Sequence, residues 1–152
     1  MTGGPLVHGI DVARVEAAIR AAEGRTSGQI RVAVSRFYFW GDVRIAAEGA
    51  FARLHMERTR KRNGVLIFVA PRRRRFAIVG DVGIHSLAGD GAWTAIAELL
   101  GREFRAGDLT GGLAHGIAAV GDCLARHFPP DLDRHANELP DAVVVEGGGP
   151  IR

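Results

Sequence analysis

Asp81 and His85 stand four residues apart in the run Phe76-Ala77-Ile78-Val79-Gly80-Asp81-Val82-Gly83-Ile84-His85. A carboxylate beside an imidazole can hold a divalent cation, or the two can divide acid and base roles in a hydrolytic step. A hard cation such as Ca²⁺ or Mg²⁺ wants several oxygen ligands, so Asp81 needs help. The amide side chains of Asn63 and Gln29 are the candidates. His85 pulls the preference toward Mn²⁺ or Zn²⁺, yet no second His or Cys has recognisable ligand spacing. The same residues also fit a structure without metal, with Asp81 capping a turn and His85 bonded to backbone. Trp40 closes the aromatic run Phe37-Tyr38-Phe39-Trp40, which could form a ligand platform or cover the open end of a core. The expected site is therefore Asp81, Asn63 and His85 around a cation (Ca²⁺, Mg²⁺ or Mn²⁺), with Gln29 and Trp40 contacting a ligand.

A hairpin and a crossover must bring these residues together. Val65-Leu66-Ile67-Phe68-Val69-Ala70 is a continuous apolar run, suited to a strand buried on both faces. Pro71 and four arginines then force the chain out to water, and a β-rich run returns over residues 76–83. In an antiparallel hairpin, Asp81 comes to lie beside Asn63. Upstream, Ile30, Val32 and Val34 alternate with polar residues, which predicts a strand over 29–35 nearer a sheet edge than the Val65 strand. A helix between the two strands makes them parallel and puts Gln29 at the same end as Asn63.

The helices announce themselves by caps and periodicity. Asp11 reads as an N-cap, with Ile10 and Val15 as a hydrophobic staple and Gly24 as a stop. Asp42 caps a second helix that runs into Arg58-Thr59-Arg60-Lys61-Arg62. Residues 84–89 read as a loop, after which Asp90 caps a third helix with Trp93, Ile96, Ala97, Leu100 and Phe104 inward. Asp108 caps a fourth, in which Gly112 and Gly116 would allow close approach to a neighbour; each costs about 1 kcal/mol of helix propensity. Asp90 and Asp108 are better read as caps than as ligands. The remaining histidines lack partners in sequence, and Cys123 lies near an apolar stripe as a packed thiol.

Composition bounds the rest. A chain of 152 residues with 47% hydrophobic and 24% charged residues is one soluble domain of ordinary size. Nineteen of its twenty basic residues are arginine, and the net charge of +3 argues only weakly for a polyanionic partner. One cysteine fits a reducing compartment, no run approaches the ~18 apolar residues of a membrane span, and no signal-peptide core opens the chain, so cytoplasmic is the expectation. The two basic clusters flank opposite ends of one strand, about 25 Å apart at ~3.3 Å per residue, so nucleic acid should bind weakly and without sequence preference.

Four segments, Thr26-Ser27-Gly28-Gln29-Ile30, Arg62-Asn63-Gly64-Val65-Leu66-Ile67, Ala77 to His85 and Phe104 to Leu113, resemble the TPM-domain family. The likeness extends through His127-Phe128-Pro129 to Asn137-Glu138-Leu139-Pro140-Asp141 and is greatest to the family's short soluble bacterial branch. The resemblance implies a three-layer α/β/α sandwich around a small mixed β-sheet. It implies acidic residues gathered before Gly64 and over the Val79–His85 segment. Members are variously described as acid phosphatases, divalent-metal binders, or repair and assembly factors. Here Asn63 stands where Asp is common in the family, and Gln29 where Glu is common.

The expected organisation is an arm over 1–10, a TPM-like domain over 11–130 and an extension over 131–152. Within the extension, Leu139 to Val145 should pack along the domain, with a possible edge strand at 142–145 and a mobile end from Gly147. Two functions follow. One is a non-catalytic binding or assembly module that uses the sheet end for a weak divalent cation or a protein partner. The other is a metal-dependent phosphatase in which Asp81 holds the metal or acts as nucleophile. No Walker or dinucleotide loop, nucleophile elbow or HExxH is present to derive the enzyme from the sequence itself.

Overall fold

The computed structural model describes residues 6–7, 9–35, 41–130 and 139–146, with backbone alone for 6–7. A two-residue hairpin, β1 (Leu6–Val7) and β2 (Ile10–Asp11), leads into α1 (Val12–Glu23). Asp11 caps that helix through the Arg14 amide, and the staple pair Ile10 and Val15 is fully buried. Then come β3 (Gln29–Ser35), α2 (Val43–Arg53), β4 (Gly64–Ala70) and β5 (Arg75–Gly80). The chain closes with α3 (Val82–Arg105), α4 (Leu109–His127) and β6 (Val144–Glu146).

The main sheet has the order β5-β4-β3-β6. β3 runs parallel to β4 and to β6, and β5 is antiparallel to β4. Helices α1, α3 and α4 cover one face, where Ile30, Val32, Val34, Val65, Ile67 and Val69 enter the larger core. On the other face α2 covers Ala33, Leu66, Phe68 and Ala70. The architecture is a three-layer α/β/α sandwich around a mixed sheet. Gly112 and Gly116 let α4 close on α3: a Cβ there would come within 2.8 Å of Glu103 Cβ and of Leu100 Cδ2.

Three expectations are corrected. β3 is no more peripheral than β4, because β6 covers its outer side and all seven of its residues are buried. Its polar members are buried too: Gln29 meets the C-terminal segment at Leu139, and Arg31 is 8% exposed instead of facing water. Helix α2 stops at Arg53. His55 then takes a left-handed φ of 55° and Met56 is wholly buried, so residues 58–62 form an irregular return to the sheet. Residues 84–89 are helical: β5 ends at Gly80 and α3 begins at Val82. The helix is broken only at Gly89 (φ 78°, ψ 168°), after which Asp90 restarts it with its side chain in water.

Candidate functional site

Gln29, Asn63 and Asp81 meet at the end of the sheet where β3 and β4 begin and β5 ends. Gly64 sits opposite Gln29 in β4 and follows Asn63. The Gln29 amide donates to Asn63 O (3.3 Å), and the Asp81 amide donates to Gly64 O (2.9 Å). Backbone bonds alone thus tie Gln29, Asn63 and Asp81 into one joint.

Their side chains divide. Asp81 is the N-cap of α3, its Oδ1 accepting from the Val82 amide at 2.7 Å. The carboxylate is 3% exposed and is gripped by Arg62, Nε to Oδ2 at 2.7 Å and Nη2 to Oδ1 at 2.9 Å. A carboxylate buried this far needs a proton, a donor or a counter-charge, and Arg62 supplies both charge and donors. Arg62 has a left-handed φ of 52°. Its own amide donates to Thr59 O and its carbonyl accepts from the Gly83 amide (2.8 Å), which holds the strained residue and aims it at Asp81. Gly83 is needed for this joint, because a Cβ there would lie 2.2 Å from Lys61 O and 2.5 Å from Arg62 O.

Asn63 is 1% exposed, and neither Oδ1 nor Nδ2 finds a hydrogen-bond partner among the described residues. The Gln29 side chain turns to the C-terminal segment, its Oε1 accepting from the Leu139 amide at 3.1 Å. His85 does not fold over Asp81. The helical register directs it outward, half exposed, with Nε2 3.7 Å from Asp90 Oδ1. Trp40 lies outside the described residues. Cys123 is buried within the α4 core face, and desolvation raises its thiol pKa, as for a packed thiol.

The site's donor set fits a divalent cation only in part. Both Asp81 oxygens are taken by N–H donors, two of them on a guanidinium that would repel a dication. Among the described residues, no three His, Cys, Asp or Glu side chains come together. Asn63 Oδ1 is a buried oxygen at this end lacking a donor among those residues.

Sequence reading missed three groups nearby. Arg62 directly precedes Asn63, so the hairpin that places Asp81 also places Arg62, and that signal was available. Glu23, at the end of α1, accepts from the Ile30 amide at 2.7 Å and hydrogen-bonds Asp141 from the C-terminal segment. Its pKa is pushed up to about 9, first by burial and then by Asp141. Arg31 is buried on the α2 face of β3, where desolvation lowers its pKa and Nε has no acceptor among the described residues. Neither the carboxyl pair nor the buried arginine has a local sequence signature.

The family model of the TPM domain matches residues 8–123, and the chain belongs to the TPM-domain family. No functionally curated protein sequence matches it. Among solved structures, the chain is similar to the BA42 protein of the psychrophilic bacterium Bizionia argentinensis. The two are 36% identical with a TM-score of 0.80, over 87% of this chain and 90% of that one. The N-terminal domain of the cg2496 protein of Corynebacterium glutamicum shares the fold at 17% identity and a TM-score of 0.59, over 82% and 78% of the two chains.

Proposed function

We propose that the protein is a non-catalytic TPM-domain binding or assembly module. The observation that carries this reading is the state of Asp81. A phosphatase would need that carboxylate free, as a metal ligand or as a nucleophile in line with a phosphorus atom. Here it caps α3 and is closed by Arg62. His85, the partner acid or base, is turned to Asp90. The joint works as a clamp that fixes the hairpin to α3.

The test is turnover of p-nitrophenyl phosphate across acidic to neutral pH, with Mg²⁺, Mn²⁺ or Ca²⁺ present. No turnover above a boiled control is expected. Steady turnover that vanishes in chelator and in Asp81→Asn would establish the enzyme instead.

The unpartnered amide of Asn63 favours a second reading, a weak and exchangeable divalent site. A cation there would take Asn63 Oδ1 and an Asp81 oxygen after displacing the half-exposed Arg62 guanidinium. Arg62→Gln should then strengthen binding. In an NMR titration with Ca²⁺, Mg²⁺ and Mn²⁺, perturbations should gather at Gln29, Asn63 and Asp81 to His85, and disappear in Asp81→Asn. Perturbations centred on Asp90 or Asp108 would remove this reading.

A further inference from the structure

We infer that the open edge of β5 is a docking strand for an extended acidic segment of a partner protein, added to the sheet beside Phe76 and Ile78. β5 is the outermost strand on its side of the sheet. In its antiparallel ladder with β4, the Asp81 amide bonds to Gly64 O, so residues 79, 77 and 75 also face β4. The alternating residues Phe76 and Ile78 therefore turn their N–H and C=O groups outward. Arg44 Nη1 reaches the Ile78 carbonyl from that side, at a long 3.4 Å.

This edge is framed as a site. A cleft of about 670 Å³ is lined by residues 75–78 together with the first turn of α2 and the face of α3 around Trp93. Those helices cover opposite faces of the sheet, so the cleft straddles the edge. An extended main chain repeats its donors and acceptors every two residues, about 6.8 Å, which is the spacing between the outward groups of Phe76 and Ile78. Trp93 packs against Gly80 on one wall, and its buried indole N–H has no acceptor among the described residues.

Charge selects the occupant. Arg44, Arg73 and Arg75 line the cleft with one acidic residue, Asp42, whose Oδ1 accepts from the Arg44 amide at 2.7 Å. Arg44 Nε pairs with Glu48 at 3.2 Å on the exposed side of α2, so Arg73 and Arg75 carry most of the cleft's positive charge. Arg73 Nη1 donates to Gly41 O at 2.5 Å, and Arg75 is exposed with no ion pair among the described residues. Pairing β5 with β5 of a second copy would set these arginines against their equivalents, so a hetero-partner with carboxylates is favoured. Arginines also guard free edges against aggregation, and a pure guard would bind nothing.

The experiment is a ¹⁵N NMR titration of the full chain with a nine-residue peptide alternating Glu with Val, and with its Lys–Val counterpart. The acidic peptide should shift the amides of residues 75–78, slow hydrogen exchange at Phe76 and Ile78, and weaken with salt. Arg73→Glu with Arg75→Glu should lower its affinity by about tenfold or more. Arg44→Glu, which lies in α2 and gives up only the long bond to the Ile78 carbonyl and the Glu48 pair, should do the same should the double variant fail to fold. The inference is overturned by no shift at millimolar peptide, by equal binding of the Lys–Val peptide, or by shifts centred elsewhere. It is also overturned if a single-stranded oligonucleotide shifts 75–78 without protecting Phe76 and Ile78 more weakly than the peptide does. Sedimentation showing dimers that dissociate in Arg75→Glu would assign the edge to a second copy instead. None of these outcomes bears on phosphatase activity at Asp81.

Discussion

The sheet has two edges, and the chain treats them differently. At the β6 edge its own C-terminal segment has been laid down as a strand and fastened at each step. The Leu139 amide bonds Gln29 Oε1, Asp141 meets Glu23, and the Val143 amide bonds Glu16 Oε2 at 2.8 Å. β6 then pairs with β3, and Glu146 takes Arg53 at 2.6 Å. At the β5 edge arginines stand beside the outward main-chain groups of Phe76 and Ile78, and the Ile78 carbonyl takes only a long bond from Arg44. The comparison shows what an added strand needs here: side chains that meet main-chain donors, and apolar groups such as Leu139 that go under α2. β6 is itself an outermost strand, but one whose own side-chain and main-chain bonds fasten it to the domain, whereas β5 presents outward main-chain groups framed by arginines.

The largest expected effect comes from removing the strap. Deleting residues 136–152 exposes the Leu139 pocket and strips β3 of β6, one of its two parallel partners. A cost comparable to a buried Leu→Ala, about 3 kcal/mol or more, should lower Tm by about 10 °C. Deleting 147–152 alone should shift Tm by less than about 2 °C. Equal losses from both deletions in a thermal melt would show that Leu139 to Glu146 is not the anchor.

The strap should also carry a pH dependence. The Glu23 pKa lies at about 9 in the folded chain against an ordinary 4.5, chiefly through burial and next through its bond to Asp141. The folded state therefore keeps a proton that the unfolded chain has released. This contribution is fully present below pH 4.5 and is lost as pH rises toward 9. The slope for one such proton is at most about 1.4 kcal/mol per pH unit. Glu23→Gln keeps an acceptor for the Ile30 amide and cannot ionise. Its denaturation midpoint should gain on the parent's steadily with pH across that window; parallel pH profiles would show that the Glu23 carboxyl is solvated.

How much of this could be read in the sequence follows from the range of each interaction. Several local signals held, although Asp90 does not cap a helix and α2 stops short of residues 58–62. Asp11, Asp42 and Asp108 cap the helices they precede, and Gly112 and Gly116 sit where α4 meets α3. The hairpin around Pro71 put Asp81 beside Asn63, because a short polar connection leaves little choice of register. The start of α3 was missed because glycines at 83 and 89 lower helix propensity. Tertiary packing of Ile84, which is fully buried, outweighs that deficit. The polarity of Gln29 and Arg31 suggested an exposed edge, yet both are buried, and Gln29 is met by Leu139 from more than a hundred residues later. Glu23 and Asp141 pair across that same distance, and nothing local marks either one.

Smaller effects separate the Asp81 joint from both edges. Gly83→Ala forces a Cβ against the backbone oxygens of Lys61 and Arg62, which cannot swing aside as a side chain would. A loss of about 1–3 kcal/mol in urea unfolding is expected, typical of overpacking. Asp81→Ala removes the α3 cap and should cost about 1–2 kcal/mol. If Gly83→Ala were neutral, the turn carrying Arg62 would have to relax freely, and the clamp would not be rigid.

The smallest effect should be at the β5 edge itself. Arg75 is exposed, makes no ion pair among the described residues, and holds no main-chain group there. Arg75→Ala should therefore change stability by no more than about 0.5 kcal/mol, as for an isolated surface site. Arg53→Ala, at the other edge, loses an exposed pair with Glu146 and should cost about 0.2–1 kcal/mol. The two are distinguished by a double cycle with β6. Arg53→Ala should lose its effect once Glu146 is replaced by Gln, whereas Arg75→Ala should be indifferent to that change. A stability loss above about 1 kcal/mol in Arg75→Ala would mean that the guanidinium is already used within the fold. It would then be unavailable to an incoming strand, and the contrast between a fastened added strand and a receiving edge would fail.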